Sequence, residues 1–244
     1  MAEEKSLHCD PLKSVPSSAN IIGAHVIYKR KLDNSPKARI VPWGHRDRDK
    51  DYLRGDSPCV SLEVLHLVLS IAAEFNWTIA QMDIETAFLQ AIGFSRQIYV
   101  RPPREARSSH QLWRLELPAY GLSDSGRLWY LTSDRELIKS FGLTRSSYDY
   151  TLYYSTDSTG LLDFILAVQV DDYIYCGRPD RLNDFESFLS SRFDVGKFGR
   201  KKLSLMGCEI LQDNDFSIHL SQESMLAQID HQALIDSVTE QGDN

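Results

Sequence analysis

The 244-residue sequence holds no unbroken apolar run of about eighteen residues, the length a membrane-spanning helix needs. Its start, MAEEKSLHCDPLK, lacks the apolar stretch of a secretory signal, so the chain is expected to be soluble and intracellular. Cysteine is scarce and dispersed: Cys9, Cys59, Cys176 and Cys208 form no C-x-x-C pair, and no histidines cluster at zinc spacing. Free thiols are therefore expected rather than a disulfide framework or a zinc site. Thirteen glycines and nine prolines are too few and too scattered for a low-complexity or collagen-like chain, and no internal repeat suggests a solenoid. A basic excess is also missing. The 27 Lys and Arg against 34 Asp and Glu give a net charge of -7, which by itself argues against a nucleic-acid partner.

What is present changes that reading. With 42% apolar and 25% charged residues the chain can bury a substantial core. Its positive charge is concentrated: Lys29, Arg30, Lys31, Lys37, Arg39, Arg46, Arg48, Lys50 and Arg54 lie between Tyr28 and Arg54, and a second run holds Arg192, Lys197, Arg200, Lys201 and Lys202. Charge alone leaves a solvated face as the simpler account of both. Residues 21–28 and 37–41 read as a basic hairpin joined by the polar turn 32–36. Leu62, Leu65, Val68, Leu69, Ala72 and Phe75 recur at helical spacing behind Ser61, a plausible cap. Further strands are expected at 78–83, 97–100, 112–117, 149–155, 161–169 and 172–176, with a helical turn at 85–90. Helices are expected at 124–141, 180–193 and from about 222. Residues 203–211 and 216–220 read as a terminal hairpin. Irregular alternation of this kind predicts an α+β fold with a helix-backed, largely antiparallel sheet.

The most informative segment is LLDFILAVQVDDYIYCG, where two apolar strand-like runs flank Asp171 and Asp172. An Asp-Asp turn is a poor choice on propensity, because tight hairpins favour a glycine that tolerates positive φ, and adjacent carboxylates repel. A divalent cation converts that repulsion into attraction, since hard oxygen ligands suit Mg²⁺. A solvated acidic turn and a metal-binding hairpin both remain open on this segment alone. Asp83, ending the strand-like TIAQMD, supplies a third carboxylate, and three such groups match a two-metal phosphoryl-transfer centre. Glu85, Asp124 and Asp163 lack a comparable strand-end setting and are expected to be surface or capping groups.

The blocks SPKARIV, WTIAQMDIETAFLQ, QIYVRPP, LWRLELPAYGLSDSGRLWY, AVQVDDYIYCG and LSLMGCEI, in this order, resemble the reverse transcriptase domain of copia-type LTR retrotransposons over roughly residues 12 to 235. The resemblance implies a fingers and palm architecture with the thumb largely absent, and RNA- or DNA-templated DNA synthesis. It divides the chain into a flexible N-terminal segment (1–20), fingers (21–80), palm with the first aspartate (81–95), a fingers and palm continuation (96–123), palm with the catalytic hairpin (124–202), a primer-grip-like hairpin (203–221) and the start of a truncated thumb (222–244).

The resemblance assigns catalysis to Asp83, Asp171 and Asp172, and metal ligation to these three with Ile84, for two Mg²⁺ or Mn²⁺ ions. Lys29, Lys31, Arg39, Ala87, Phe88 and Val170 are expected around the nucleotide, Phe88 as the aromatic beneath its sugar, and Met206 and Gly207 at the primer. Without the resemblance, Phe88 and Met206 read simply as core residues. The implied partners are a template with its primer, dNTPs and other segments of a Pol polyprotein, without a membrane, in a cytoplasmic particle or the nucleus. Two departures stand out: Ser123 and Asp124 replace a Lys and Gln expected near nucleotide and template, and Gln169 replaces the commoner Tyr of Y-V-D-D. The alternatives are a catalytically inactive remnant acting as a nucleic-acid-binding module, and a metal-dependent nuclease or cyclase with a similar palm.

Overall fold

The structure, a computed structural model, describes residues 7–11, 14–30, 34–106 and 111–227. Along the chain run β1 (Leu7–Pro11), β2 (Asn20–Arg30), β3 (Pro36–Pro42), α1 (Leu62–Glu74), β4 (Ala80–Ile84), β5 (Ile98–Arg101), β6 (Gln111–Leu115) and α2 (Ser125–Arg135). Then follow β7 (Thr144–Arg145), β8 (Leu152–Thr156), β9 (Leu162–Gln169), β10 (Asp172–Gly177), α3 (Pro179–Arg192), β11 (Val195–Arg200), β12 (Lys202–Leu205), β13 (Cys208–Gln212), β14 (Ile218–Ser221) and α4 (Glu223–Leu226). Three sheets result, ordered β1-β6-β5-β2-β3, β11-β4-β10-β9-β8-β7 and β12-β13-β14. All their pairings are antiparallel except β2 with β5. No helix among the described residues is long and apolar enough to cross a membrane.

The six-stranded sheet is apolar on both faces, which is why β9 is an almost continuous hydrophobic run. Ile165 and Ala167 of β9, with Ile174 and Cys176 of β10, face α1 through Val64, Leu65, Val68 and Ala72. The alternate residues Phe164, Leu166, Tyr173 and Tyr175 face Trp129, Leu182, Phe185 and Leu189 of α2 and α3. This two-residue parity is the ordinary consequence of strand geometry. Ser61 caps α1 by accepting the Val64 N–H at 3.2 Å, and the helix stops where Asn76 turns left-handed at φ 54°.

Several sequence expectations need correction. The segment 1–20, expected to be flexible, contains β1, which pairs with β6 from Leu7↔Leu115 to Pro11↔Gln111. The strand expected over 203–211 is two strands, because Met206 and Gly207 both have positive φ (52° and 76°) and form a tight two-residue turn. The edge strand β11 was not anticipated: VGKFGR is rich in glycine and charge, and it pairs with β4 around a bulge. The helix at 124–141 begins as α2 and ends in a π-helical turn, Glu136–Ser140.

Asp163 and Asp124 are buried rather than superficial. Asp163 accepts the Ser155 hydroxyl at 2.5 Å and lies 3.5 Å from Arg181. Asp124 stands at the N-terminal boundary of α2 without capping it; both its oxygens are held by Arg96, at 2.7 and 3.0 Å. Arg96 also donates to Asp47 at 2.7 Å, and Asp47 in turn accepts the Asn20 amide at 2.7 Å. One guanidinium thus ties β2, the 44–47 turn and the start of α2. Removing it leaves two buried carboxylates without a cation, so Arg96→Met is expected to lower stability by about 3–5 kcal/mol. A urea melt measures this, with the exposed Arg54→Ala as a control that shifts the midpoint little.

Candidate active site

The antiparallel register places Asp172 directly across from Asp83 on one side and from Gln169 on the other. The loop between β9 and β10 is therefore Val170–Asp171, and Asp172 is already the first residue of its strand. This revises the Asp-Asp turn expected from sequence and removes its puzzle: the positive φ falls on Val170 (56°), while the carboxylates occupy the neighbouring positions. A β-branched residue there costs about 1–3 kcal/mol, and such strain persists only where the surroundings enforce it. Three elements do so. The Trp129 indole N–H donates to the Val170 carbonyl at 2.7 Å, the Ile84 N–H donates to the Asp171 carbonyl at 2.8 Å, and Gln169 accepts the Val60 N–H through its side chain at 2.8 Å. Gln169 thus serves as a brace between the hairpin and the residue leading into α1.

The carboxylates feel one another. Burial pushes the Asp172 carboxyl from an ordinary 3.8 up to about 6; a hydrogen bond from the Gln81 amide at 2.9 Å opposes this, and Asp171 and Asp83 add to it. Asp83 is raised by burial first, then by Asp171 and Glu85, with Lys37 and Lys197 pulling the other way. Glu85, expected to be a surface residue, is exposed but stands beside Asp83. Gly196 on β11 makes the room: a Cβ there would sit 2.6 Å from Asp83 Oδ2 and 3.0 Å from Glu85 Cγ. A half-buried set of hard oxygens, two of whose carboxyls, Asp172 and Asp83, are raised by burial and neighbouring charge, is chemically suited to a divalent cation. Among the described residues, no group of three or more His, Cys, Asp or Glu side chains is placed so that it could hold a metal ion by itself.

After Asp83 the chain turns sharply at Thr86, whose φ is 49°, into the short 3-10 turn Ala87–Gln90. Ala87 and Ile84 are buried, and Phe88 packs partly against the main core. The Phe88 ring lies 4.6 Å from that of Tyr120, tilted by 37°, and the Arg39 guanidinium lies over the Tyr120 ring at 4.7 Å, so Tyr120 links Arg39 to Phe88. Lys29 is the cross-strand partner of Lys37 on the basic hairpin, and Lys37 is one of the two lysines, with Lys197, whose charge reaches Asp83. Lys31 lies outside the described residues. Met206 and Gly207 form the β12–β13 turn, and Gln81 joins that hairpin to Asp172 through Ser204.

Gln81, Lys37, Lys197, Gly196 and Tyr120 were not singled out as site residues from sequence. Two signals were available: Gln81 shares strand parity with Asp83, and a glycine inside a strand marks a close approach.

A helix-backed antiparallel sheet with acids at a strand end and a facing hairpin is the palm of a polymerase-type fold. Comparisons agree. The model of the family described as reverse transcriptase (RNA-dependent DNA polymerase) matches residues 10–240, and the chain belongs to that family. It is 28% identical over 190 residues to the retrovirus-related Pol polyprotein from transposon RE1 of Arabidopsis thaliana, covering 74% of this chain and 13% of that protein. To the transposon Ty1-DR5 Gag-Pol polyprotein of Saccharomyces cerevisiae it is 36% identical over 124 residues, 50% of this chain and 7% of the relative. The chain thus corresponds to a small part of these copia-type polyproteins. Among solved structures, it resembles telomerase from Candida albicans, in complex with a fragment of telomeric RNA (TM-score 0.53, 13% identity, 90% of this chain and 48% of that one). It also resembles the foamy viral protease-reverse transcriptase in complex with double-stranded DNA (TM-score 0.52, 14% identity, 93% and 34%). At these identities the structural likeness concerns the fold.

The raised carboxyls carry a stability prediction. Between pH 3.8 and about 6 the folded chain keeps a proton on Asp172 that the unfolded chain has released, so this group's contribution is full below pH 3.8 and is lost as pH rises to about 6. At about 1.4 kcal/mol per pH unit that corresponds to about 3 kcal/mol, which residual solvent access reduces to about 1–2 kcal/mol. Asp172→Asn, which keeps an acceptor for Gln81, should therefore raise the pH 7 melting temperature in EDTA and flatten its fall between pH 4 and 6. An unchanged profile in calorimetry would contradict the raised Asp172 carboxyl, whose first cause is burial, with repulsion from Asp171 and Asp83 adding to it.

Proposed function

We propose that this chain performs the templated DNA synthesis of a retrotransposon Pol polyprotein, joining a primer 3′-hydroxyl to the α-phosphate of a dNTP with loss of pyrophosphate. The observation that supports this most is the register Asp172↔Asp83 beside Asp171, with the Lys37 charge of the basic hairpin acting on the same acids. Asp83, Asp171 and Asp172, together with the Ile84 carbonyl, would hold two Mg²⁺ ions, Mn²⁺ being an alternative. When bound, such ions lower the pKa of an attacking hydroxyl and neutralise charge on the phosphates. The protein's own contribution is placement and charge. Arg39, with Lys29 and Lys37 on the same hairpin, meets the β- and γ-phosphates; Lys31, assigned to the same role by the resemblance, lies outside the described residues. Ala87, Phe88 and Val170 line the nucleotide, and Met206 and Gly207 hold the primer end. Template, primer, dNTPs and the remaining Pol segments are the partners, in a cytoplasmic particle or the nucleus.

Primer extension on RNA and DNA templates tests the reading. Asp171→Asn should reduce Mg²⁺-dependent incorporation to background while the protein stays folded by circular dichroism. Ser123 and Asp124 favour a second reading, a nucleic-acid-binding remnant, because the Lys and Gln donors are missing and Asp124 is committed to Arg96. A wild-type chain that binds primer-template yet extends nothing with Mg²⁺ or Mn²⁺ would establish that remnant instead.

Phe88 separates a DNA polymerase from other palm chemistries. Its ring is backed by Tyr120 and by the core, so it cannot easily yield to a 2′-hydroxyl. Phe88→Val should increase incorporation of ribonucleotides relative to deoxyribonucleotides, with a smaller change in the dNTP rate. Ratios of kcat/KM for the matched nucleotide pair report it; an unaltered ratio assigns Phe88 to packing alone.

A further inference from the structure

Gln81 uses its whole amide. One N–H donates to Asp172 Oδ1 at 2.9 Å, the amide also donates to the Ser204 carbonyl at 2.9 Å, and its oxygen accepts the Ser204 N–H at 3.1 Å. The two bonds with Ser204 are the pair that facing residues of adjacent antiparallel strands exchange. The side chain of β4 thus substitutes for a strand residue and attaches β12 to the palm at the point where it also grips a carboxylate. The other end of this hairpin is attached separately: the buried Gln212 accepts the Ile79 N–H at 3.0 Å and donates to the Trp77 carbonyl at 3.0 Å. Between the two attachments Leu203, Leu205 and Ile210 are buried in the core beneath α1. The hairpin is therefore a firmly seated unit, and Met206 and Gly207, immediately after β12, move with Ser204.

We propose that Gln81 is a positioning residue that sets the Met206–Gly207 turn relative to Asp172, so that a primer end held by the turn arrives in line with the carboxylates. This rests on the polymerase reading above. Gln212 docks the same hairpin without touching an acid, which makes it the comparison that separates positioning from simple docking. Misplacement of reacting groups by about 1 Å can lower a rate about 10²-fold. Gln81→Leu has nearly the same volume and removes all three hydrogen bonds, and Ser204 is exposed, so water can satisfy its backbone.

Two measurements on the full chain decide the matter. In single-turnover primer extension, Gln81→Leu should lower the maximal rate about 10²-fold while dNTP affinity and primer-template Kd stay essentially unchanged. Gln81→Glu, which keeps the acceptor for the Ser204 N–H but loses the donors to both Asp172 and the Ser204 carbonyl, should be at least as slow. A Gln212 variant should instead lose stability and rate together. Equal losses in rate and primer binding for Gln81→Leu would reduce Gln81 to a docking residue and overturn the proposal.

The second measurement needs no activity. Hydrogen exchange across residues 202–212 should quicken when Asp172→Ala removes the acceptor, and Asp172→Ala should add nothing in a Gln81→Leu background. Additive effects, or no response to Asp172→Ala, overturn the coupling. If the wild type extends no primer, the polymerase reading fails on that result, and the exchange cycle alone judges Gln81.

Discussion

The structure around the site is organised by one unfavourable interaction, the gathering of Asp83, Asp171 and Asp172 in a half-buried place where like charges repel. Each feature nearby can be understood as something that makes this tolerable. The Gln81 amide donates to Asp172, Lys37 and Lys197 lend positive charge from two different elements, and Gly196 leaves the Asp83 carboxylate the volume it needs. The strained Val170 turn is held by donors from Trp129 and Ile84 rather than by a glycine. Several elements thus converge to hold a conformation that none of them would favour alone, which is the usual way strain is kept at a functional position.

The same logic links the basic hairpin to the palm. A hairpin that carried its lysines and arginine on a free arm would sample many positions, whereas here Arg39 lies on Tyr120 and Tyr120 on Phe88. Cation–π and aromatic contacts of this kind contribute about 1 kcal/mol each, enough to bias the arm's placement and weak enough to yield to a stronger anion. Arg96 supplies the rigid counterpart at the base of the same unit through its buried contacts with Asp47 and Asp124.

How legible this was in the sequence depended on period and range. The α1 helix and its cap, the apolar β9 and β10, and the basic hairpin were readable because their signals are local and strongly periodic. The three aspartates could be proposed because a strand-end acid and a hairpin pair are visible in one dimension. The identity of the loop residues was not legible: whether Asp171 or Asp172 begins β10 depends on pairing with β4 and β9, a contact distant in sequence. Strand β11 was hidden for a related reason. Its Gly196 gives Asp83 room, Lys197 acts on the acids and Arg200 pairs with Glu186, so the alternation that would mark a strand is largely overwritten by the site it serves.

The departure at Ser123 and Asp124 has a different meaning in three dimensions. An extra acid near a triphosphate site would be expected to repel nucleotide, but both Asp124 oxygens are engaged by Arg96 and the side chain is almost fully buried. Its charge is compensated locally, so it adds little field to the cleft. What is missing is donor capacity, since neither a short hydroxyl nor a committed carboxylate replaces a lysine and an amide. The described cations that act on the acids, Lys37 and Lys197, are exposed, and Lys29 stands across the hairpin from Lys37. Attraction for a polyphosphate would then fall mainly on the open basic hairpin, where salt screens it over about 8 Å at physiological ionic strength. On the polymerase reading proposed above, a palm with this substitution would depend more on its basic hairpin, and on low ionic strength, than one that retains the lysine and glutamine.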